Sequence, residues 1–149
     1  MKIVLVALAM LTTLGSSDSF AAGPGEDPAI NAIFTKQFAG AAHVNWVSLE
    51  DGIEKVTFTL GGIRTEAYYS REGELLGTLR NLFYNQLPLT VMQTLSNKFT
   101  DGVVIEIMEI TNAGGTSYRV VLEQKDKKVT TRVNSIGELL SVEKKKIKN

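Results

Sequence analysis

The chain has no cysteine, one histidine, one tryptophan and three prolines among 149 residues, and its charges cancel, with 16 Lys plus Arg against 16 Asp plus Glu. Each shortage excludes a class of function. Without cysteine there are no disulfides, no thiolate nucleophile and no sulfur ligands for zinc or an iron–sulfur cluster. His43 stands alone as an imidazole, at the start of a predicted strand, and no Gly-x-Ser-x-Gly elbow accompanies it, so it reads as a strand-edge histidine. A neutral balance lacks the cationic surplus by which nucleic-acid binders neutralise phosphates. Glu50, Asp51, Glu72, Glu74 and Asp126 fall at turns, where solvation explains them better than a paired-carboxylate mechanism. Asp51, Asp101 and Asp126 are isolated, not spaced as in a calcium loop. Gly61-Gly62 and Gly114-Gly115 are not followed by a helix that could hold a phosphate, and read as hairpin turns. No catalytic residue, metal site or cofactor is therefore expected.

What is present begins with an export signal. Lys2 precedes the apolar stretch Ile3 to Leu14, and Gly15 to Ala22 supplies small residues, with Ser19 and Ala21 suited to a cleavage site. Residues 1–21 read as a signal peptide and 22–149 as a single mature domain, with Ala22 or Gly23 at its start. The apolar stretch is shorter than the roughly 20 residues a membrane-spanning helix needs, so no span is expected in the mature protein. Removing Lys2 and Asp18 with the signal leaves the balance neutral. The expected location is periplasmic or secreted.

The mature chain nearly repeats itself. Glu54 to Leu76 aligns without a gap on Tyr118 to Leu140: Val56 meets Val120, Phe58 meets Leu122, and Gly-Glu-Leu-Leu ends both segments. Upstream, Phe38 matches Phe99 and Trp46 matches Ile107, with the extra residues of the second copy falling around Gly114-Gly115. Two half-repeats, about 27–80 and 87–143, are expected to share one core. Asp27-Pro28 opens the first with an N-cap and a proline at the first helical position, followed by Ile30, Ile33, Phe34 and Phe38 at helical spacing. Pro88 opens the second, with Val91, Met92, Leu95 and Phe99 as its stripe. Alternating stretches follow each helix, punctuated by Asp51-Gly52, Gly61-Gly62, Glu72-Gly73, Asp126-Lys127 and Ile136-Gly137. The expected fold class is α+β: two tandem helix-plus-antiparallel-meander repeats forming one sheet with the helices on one face.

Alternation places Val56, Phe58, Ala67, Tyr69, Val120, Leu122, Val129 and Val133 against the helices, and Lys55, Thr57, Glu66, Tyr68, Arg119, Val121, Thr130 and Arg132 on the opposite, wetted face. Tyr68 aligns with Arg132, an aromatic with an arginine, which is the composition of interface hot spots. Tyr68, Arg119, Val121 and Arg132 are the candidate binding residues. Trp46 aligns with an apolar residue and reads as core, and Lys144-Lys145-Lys146 with Lys148 reads as a solvated tail.

Phe38 through Val44-Asn45-Trp46, Lys55-Val56-Thr57-Phe58, Ala67-Tyr68-Tyr69, Gly73-Glu74-Leu75-Leu76-Gly77 and Leu87-Pro88 together resemble the PepSY-like proteins of bacterial envelopes, also described as β-lactamase-inhibitor-protein-like. The resemblance covers almost the whole mature chain. It implies a helix followed by an antiparallel sheet, given twice, an envelope location and no catalytic centre. The function expected is a non-enzymatic binding module whose open sheet face contacts a protein or peptide partner in the envelope, as an inhibitor or regulator of a hydrolase. A small-ligand carrier with a pocket around Trp46, Phe34 and Tyr69, and an enzyme of unrecognised type, are the readings left open beside it.

Overall fold

The computed structural model describes residues 27–148, so the expected signal peptide and cleavage site lie outside the described residues. α1 (Pro28–Gln37) starts where Asp27 Oδ1 accepts a hydrogen bond from the Ala29 amide at 2.8 Å, with Pro28 in the first turn. Four strands follow: β1 (Ala42–Ser48), β2 (Glu54–Leu60), β3 (Ile63–Tyr69) and β4 (Leu75–Asn81). A short 3₁₀ turn, Tyr84–Gln86, leads into α2 (Leu89–Lys98), which begins after Pro88 without a side-chain cap. β5 (Val103–Asn112), β6 (Gly115–Gln124), β7 (Lys127–Asn134) and β8 (Leu139–Lys146) complete the chain.

The expected class needs correction. All eight strands form one antiparallel sheet in the order β1 to β8, and the only α-helices among the described residues are two of ten residues each. The protein is mainly β, and it is not a pair of helix-plus-meander repeats. The physical reason is proportion: two ten-residue helices cover part of one face of eight strands, which the β4–β5 joint unites in a single layer. Gly77 to Asn81 pairs with Asn112 to Met108 without a register shift, so backbone hydrogen bonding runs from edge to edge. Gly77 suits that joint, since a Cβ there would come within 2.8 Å of the Thr111 carbonyl oxygen. The lysines expected as a solvated tail are also placed differently, because Lys144, Lys145 and Lys146 belong to β8 and pair with β7.

Beneath α1, Ile30 and Phe34 bury against Val56, Phe58, Ala67 and Tyr69. Beneath α2, Val91 and Leu95 join Leu87, Phe99, Ile107, Tyr118, Val120, Leu122, Val129 and Val133. Polar contacts bind the second helix to the turn after β7: Thr94 Oγ1 donates to the Gly137 carbonyl at 2.6 Å, and Thr90 Oγ1 to the Ser135 carbonyl at 3.0 Å. Gly137 has φ +90°, and a Cβ on it would meet the Thr90 carbonyl oxygen at 2.9 Å, so the close passage of turn under helix requires glycine.

Candidate functional site

The sheet has one face under the helices and one left open. On the open face, cross-strand partners run Thr57, Glu66, Leu79, Ile110 and Ser117 along one row from β2 to β6, and Met108, Arg119, Arg132 and Ser141 along another from β5 to β8. Tyr68 stands beside the first row, on β3. A shallow hollow of about 280 Å³ lies there, lined by Tyr68, Gly77, Leu79 and Ile110. Its apolar floor exists because Leu79 and Ile110 face each other across the β4–β5 joint.

The charges around Tyr68 are compensated. Glu66 receives Lys55 Nζ at 3.3 Å, an Arg64 Nη2 at 3.2 Å and the Tyr68 hydroxyl at 2.8 Å. Burial pushes the Glu66 carboxyl up, but the hydrogen bonds from Tyr68 and Lys55, with the charges of Lys55 and Arg64, outweigh it and hold the group below its usual range. Tyr68 is pushed up to about 12, first by burial and then by the Glu66 carboxylate that accepts its hydrogen bond.

The structure brings three of the four candidate residues together and separates the fourth. Arg119 and Arg132 are direct cross-strand partners, with Val121 two residues along β6. Tyr68, on β3, lies three strands from β6 and four from β7, which at the usual strand spacing is about 14 to 19 Å. Tyr68 and Arg132 therefore share a face without touching. Val121 is only 2% exposed, so it packs within that face and has little surface to offer a partner. Arg132 Nε donates to Ser117 Oγ at 2.9 Å, and Arg119 approaches Glu106 at 3.5 Å.

Other positions gain interest that the sequence reading did not give them. Lys128 and Lys145 share with Arg119, Thr130 and Glu143 a depression of about 260 Å³ on the same face. A larger hollow of about 430 Å³ sits at the end of β4 and start of β5, where Phe83 is 75% exposed beside Ile63, Tyr84 and Ile105. Two aromatics in the short linker Asn81 to Gln86 were the sequence signal for it. The alternative ligand pocket takes a different form: Phe34 and Tyr69 are packed core, the Tyr69 hydroxyl donates to Gln37 Oε1 at 2.7 Å, and Trp46 stands edge-on to Phe34 with ring centroids 5.4 Å apart. Trp46 Nε1 is buried without a hydrogen-bond partner, and the hollow beside it, about 300 Å³, is lined by Phe34, Phe38, Val44 and Trp46 but not by Tyr69.

His43 is exposed on β1 at an irregularity in the pairing with β2, with φ +53°. No group of three or more His, Cys, Asp or Glu side chains that could hold a metal occurs among the described residues, and no described helix is long and apolar enough to cross a membrane.

No family model matches the chain, and no curated protein does. Solved structures do. A DUF2874 family protein of Bacteroides ovatus superposes with a TM-score of 0.72 at 20% identity over 82% of this chain and 89% of that one. A BLIP-like protein of Bacteroides fragilis gives 0.69 at 23% identity, over 81% and 89%. A protein of Bacteroides eggerthii described as "putative periplasmic" gives 0.71 at 15% identity, over 79% and 88%. The chain shares the fold of these proteins.

Proposed function

We propose that the protein is a PepSY-like, non-enzymatic binding module of the bacterial envelope, periplasmic or secreted, which grips a protein or peptide partner with its open sheet face and so inhibits or regulates an envelope hydrolase. The observation that carries this reading is the asymmetry of the sheet. Both helices bury side chains on one face, while the other leaves Tyr68, Leu79, Ile110, Arg119 and Arg132 partly exposed on consecutive strands. Aromatic, arginine and apolar side chains on a rigid support are what association surfaces concentrate, and an antiparallel sheet can leave one face free to supply them. The export-like N-terminus supports the location, as does the fold shared with the Bacteroides eggerthii protein. The shared fold with a BLIP-like protein supports a partner that is itself a protein.

The experiment compares the wild-type chain with Tyr68→Ala/Arg132→Ala in capture from a native envelope extract. Each replaced side chain lies outside the two apolar clusters, so the melting temperature should shift little. Capture should weaken at least tenfold, about 1.4 kcal/mol. Undiminished capture by the folded double variant would move the binding surface to the helices or the loops.

A further inference from the structure

Two cross-strand pairs on the open face set like charges directly against each other. Arg119 on β6 faces Arg132 on β7, and Lys128 on β7 faces Lys145 on β8. Like charges opposite one another on one face weaken a sheet, and a fold that keeps two such pairs four residues apart along β7 is carrying a local conflict. Around Tyr68 the same face does the reverse, with Lys55 and Arg64 both closing on Glu66. Counter-charge at the β6–β8 end is looser: Glu123 stands opposite Lys128 across the β6–β7 pair but forms no ion pair with it. Glu106 reaches Arg119 at 3.5 Å and Glu143 reaches Lys145 at 3.2 Å, while neither Lys128 nor Arg132 forms an ion pair among the described residues. Arg119, Lys128 and Lys145 line a depression of about 260 Å³, with Thr130 and Glu143 completing its wall.

We propose that this depression seats an acidic side chain: the partner presents a segment bearing Asp or Glu, whose carboxylate lies between Arg119, Lys128 and Lys145. The inference rests on the reading of the open face as the partner-binding surface and adds the chemistry of what binds there. A guanidinium fork and two ammonium groups around a hollow suit a carboxylate, which can accept several charge-assisted hydrogen bonds at once. A flat anionic bilayer suits the site less well, because the three cations converge on one small hollow that a single side chain can enter, while Glu123 and Glu143 lie among them on the surface a bilayer would cover.

The test titrates the protein with a short peptide of alternating Glu and Ser, its Gln-for-Glu counterpart, and phosphatidylcholine vesicles with and without phosphatidylglycerol. The Glu peptide should bind at least tenfold more tightly than the Gln peptide, and its affinity should fall with added salt. Arg119→Gln/Lys128→Gln should weaken the Glu peptide at least tenfold, with a melting temperature unchanged or raised because two like-charge oppositions are relieved. Thr130→Glu, which puts a carboxylate inside the hollow, should abolish peptide binding in a folded protein. Equal binding of the two peptides, full binding by the folded double variant, or binding to anionic vesicles without binding to the Glu peptide would each overturn the proposal. Loss of native capture by Tyr68→Ala/Arg132→Ala alongside indifference to the Glu peptide would overturn the acidic seat and leave the open-face reading standing.

Discussion

Beneath α1 the core is a stack of rings. Phe34 lies 5.5 Å from Phe38, 5.4 Å from Trp46 and 5.0 Å from Phe58 between centroids, and Phe38 lies 4.9 Å from Phe58. Beneath α2 the buried side chains are mostly aliphatic: Val91, Leu95, Val120, Leu122, Val129 and Val133, all at most 3% exposed. The open face divides in the same direction, with charges compensated around Glu66 and left in like pairs at β6 to β8. One sheet thus supports two differently built ends. The difference teaches that burial settles which side chains point inward, while their chemistry is free to vary so long as the space is filled.

The largest effects should come from the cores. Phe58→Ala should cost about 3 to 5 kcal/mol and Leu122→Ala about 2 to 5 kcal/mol by denaturant unfolding, since each empties a fully buried site. Phe58 should also couple to Phe34 by about 0.5 to 1.5 kcal/mol in a double-mutant cycle, an aromatic pairing that the aliphatic Leu122 cannot make. Absence of that coupling would erase the contrast between the ends. Thr57→Ala, on the open face, should stay within about 0.5 kcal/mol.

Next come the two turns that pass under the helices. A Cβ on Gly137 would strike the Thr90 backbone carbonyl, which cannot yield, whereas one on Gly73 would strike the Ile33 Cδ1 at 2.7 Å, the end of a mobile side chain. Both have positive φ, +90° and +83°. Gly137→Ala should therefore destabilise by about 2 to 3 kcal/mol and Gly73→Ala by about 1 to 2 kcal/mol. The reverse order in thermal melts would mean that the α2 end has more give than the α1 end.

How far the sequence foretold this depends on which force was decisive. The start of α1 was legible because Asp27 and Pro28 act locally, and the inward set Val56, Phe58, Ala67 and Tyr69 was legible because a strand reverses its side chains at every residue. Alternation names a face, however, and says nothing of what lies over it. That is why Val121 was read as a contact residue when it is buried among its neighbours, and why Tyr68 and Arg132 were paired although three strands lie between them. The lysines of β8 were read as a tail because their charge masks the backbone pairing with Lys127 to Val129 that makes them a strand. The single sheet was expected, but the fold class was misjudged because two helix signals were weighed as equal partners of the strands, whereas the helices are ten residues each over a sheet of eight strands. Lys128 and Lys145 were missed because only the register brings them side by side.

A smaller effect, on pH dependence, again separates the ends. Burial pushes the Tyr69 hydroxyl in the aromatic core up to about 12, while Tyr118 in the other core is raised by burial and by its neighbour Glu109. A tyrosine whose folded value exceeds its unfolded value of about 10 contributes stability in full below pH 10 and loses it as pH rises toward the folded value. Stability should therefore decline between pH 10 and 12, and Tyr69→Phe should flatten part of that decline. An unchanged alkaline slope in Tyr69→Phe would place the titrating groups elsewhere.

The proposal that the open face is where a partner sits is tested most directly by a photo-crosslinking side chain placed at Thr130 on the open face or at Lys36 on the exposed surface of α1, in protein expressed in its native host. A discrete adduct is expected from Thr130 and none from Lys36. An adduct from Lys36 with none from Thr130 would contradict it.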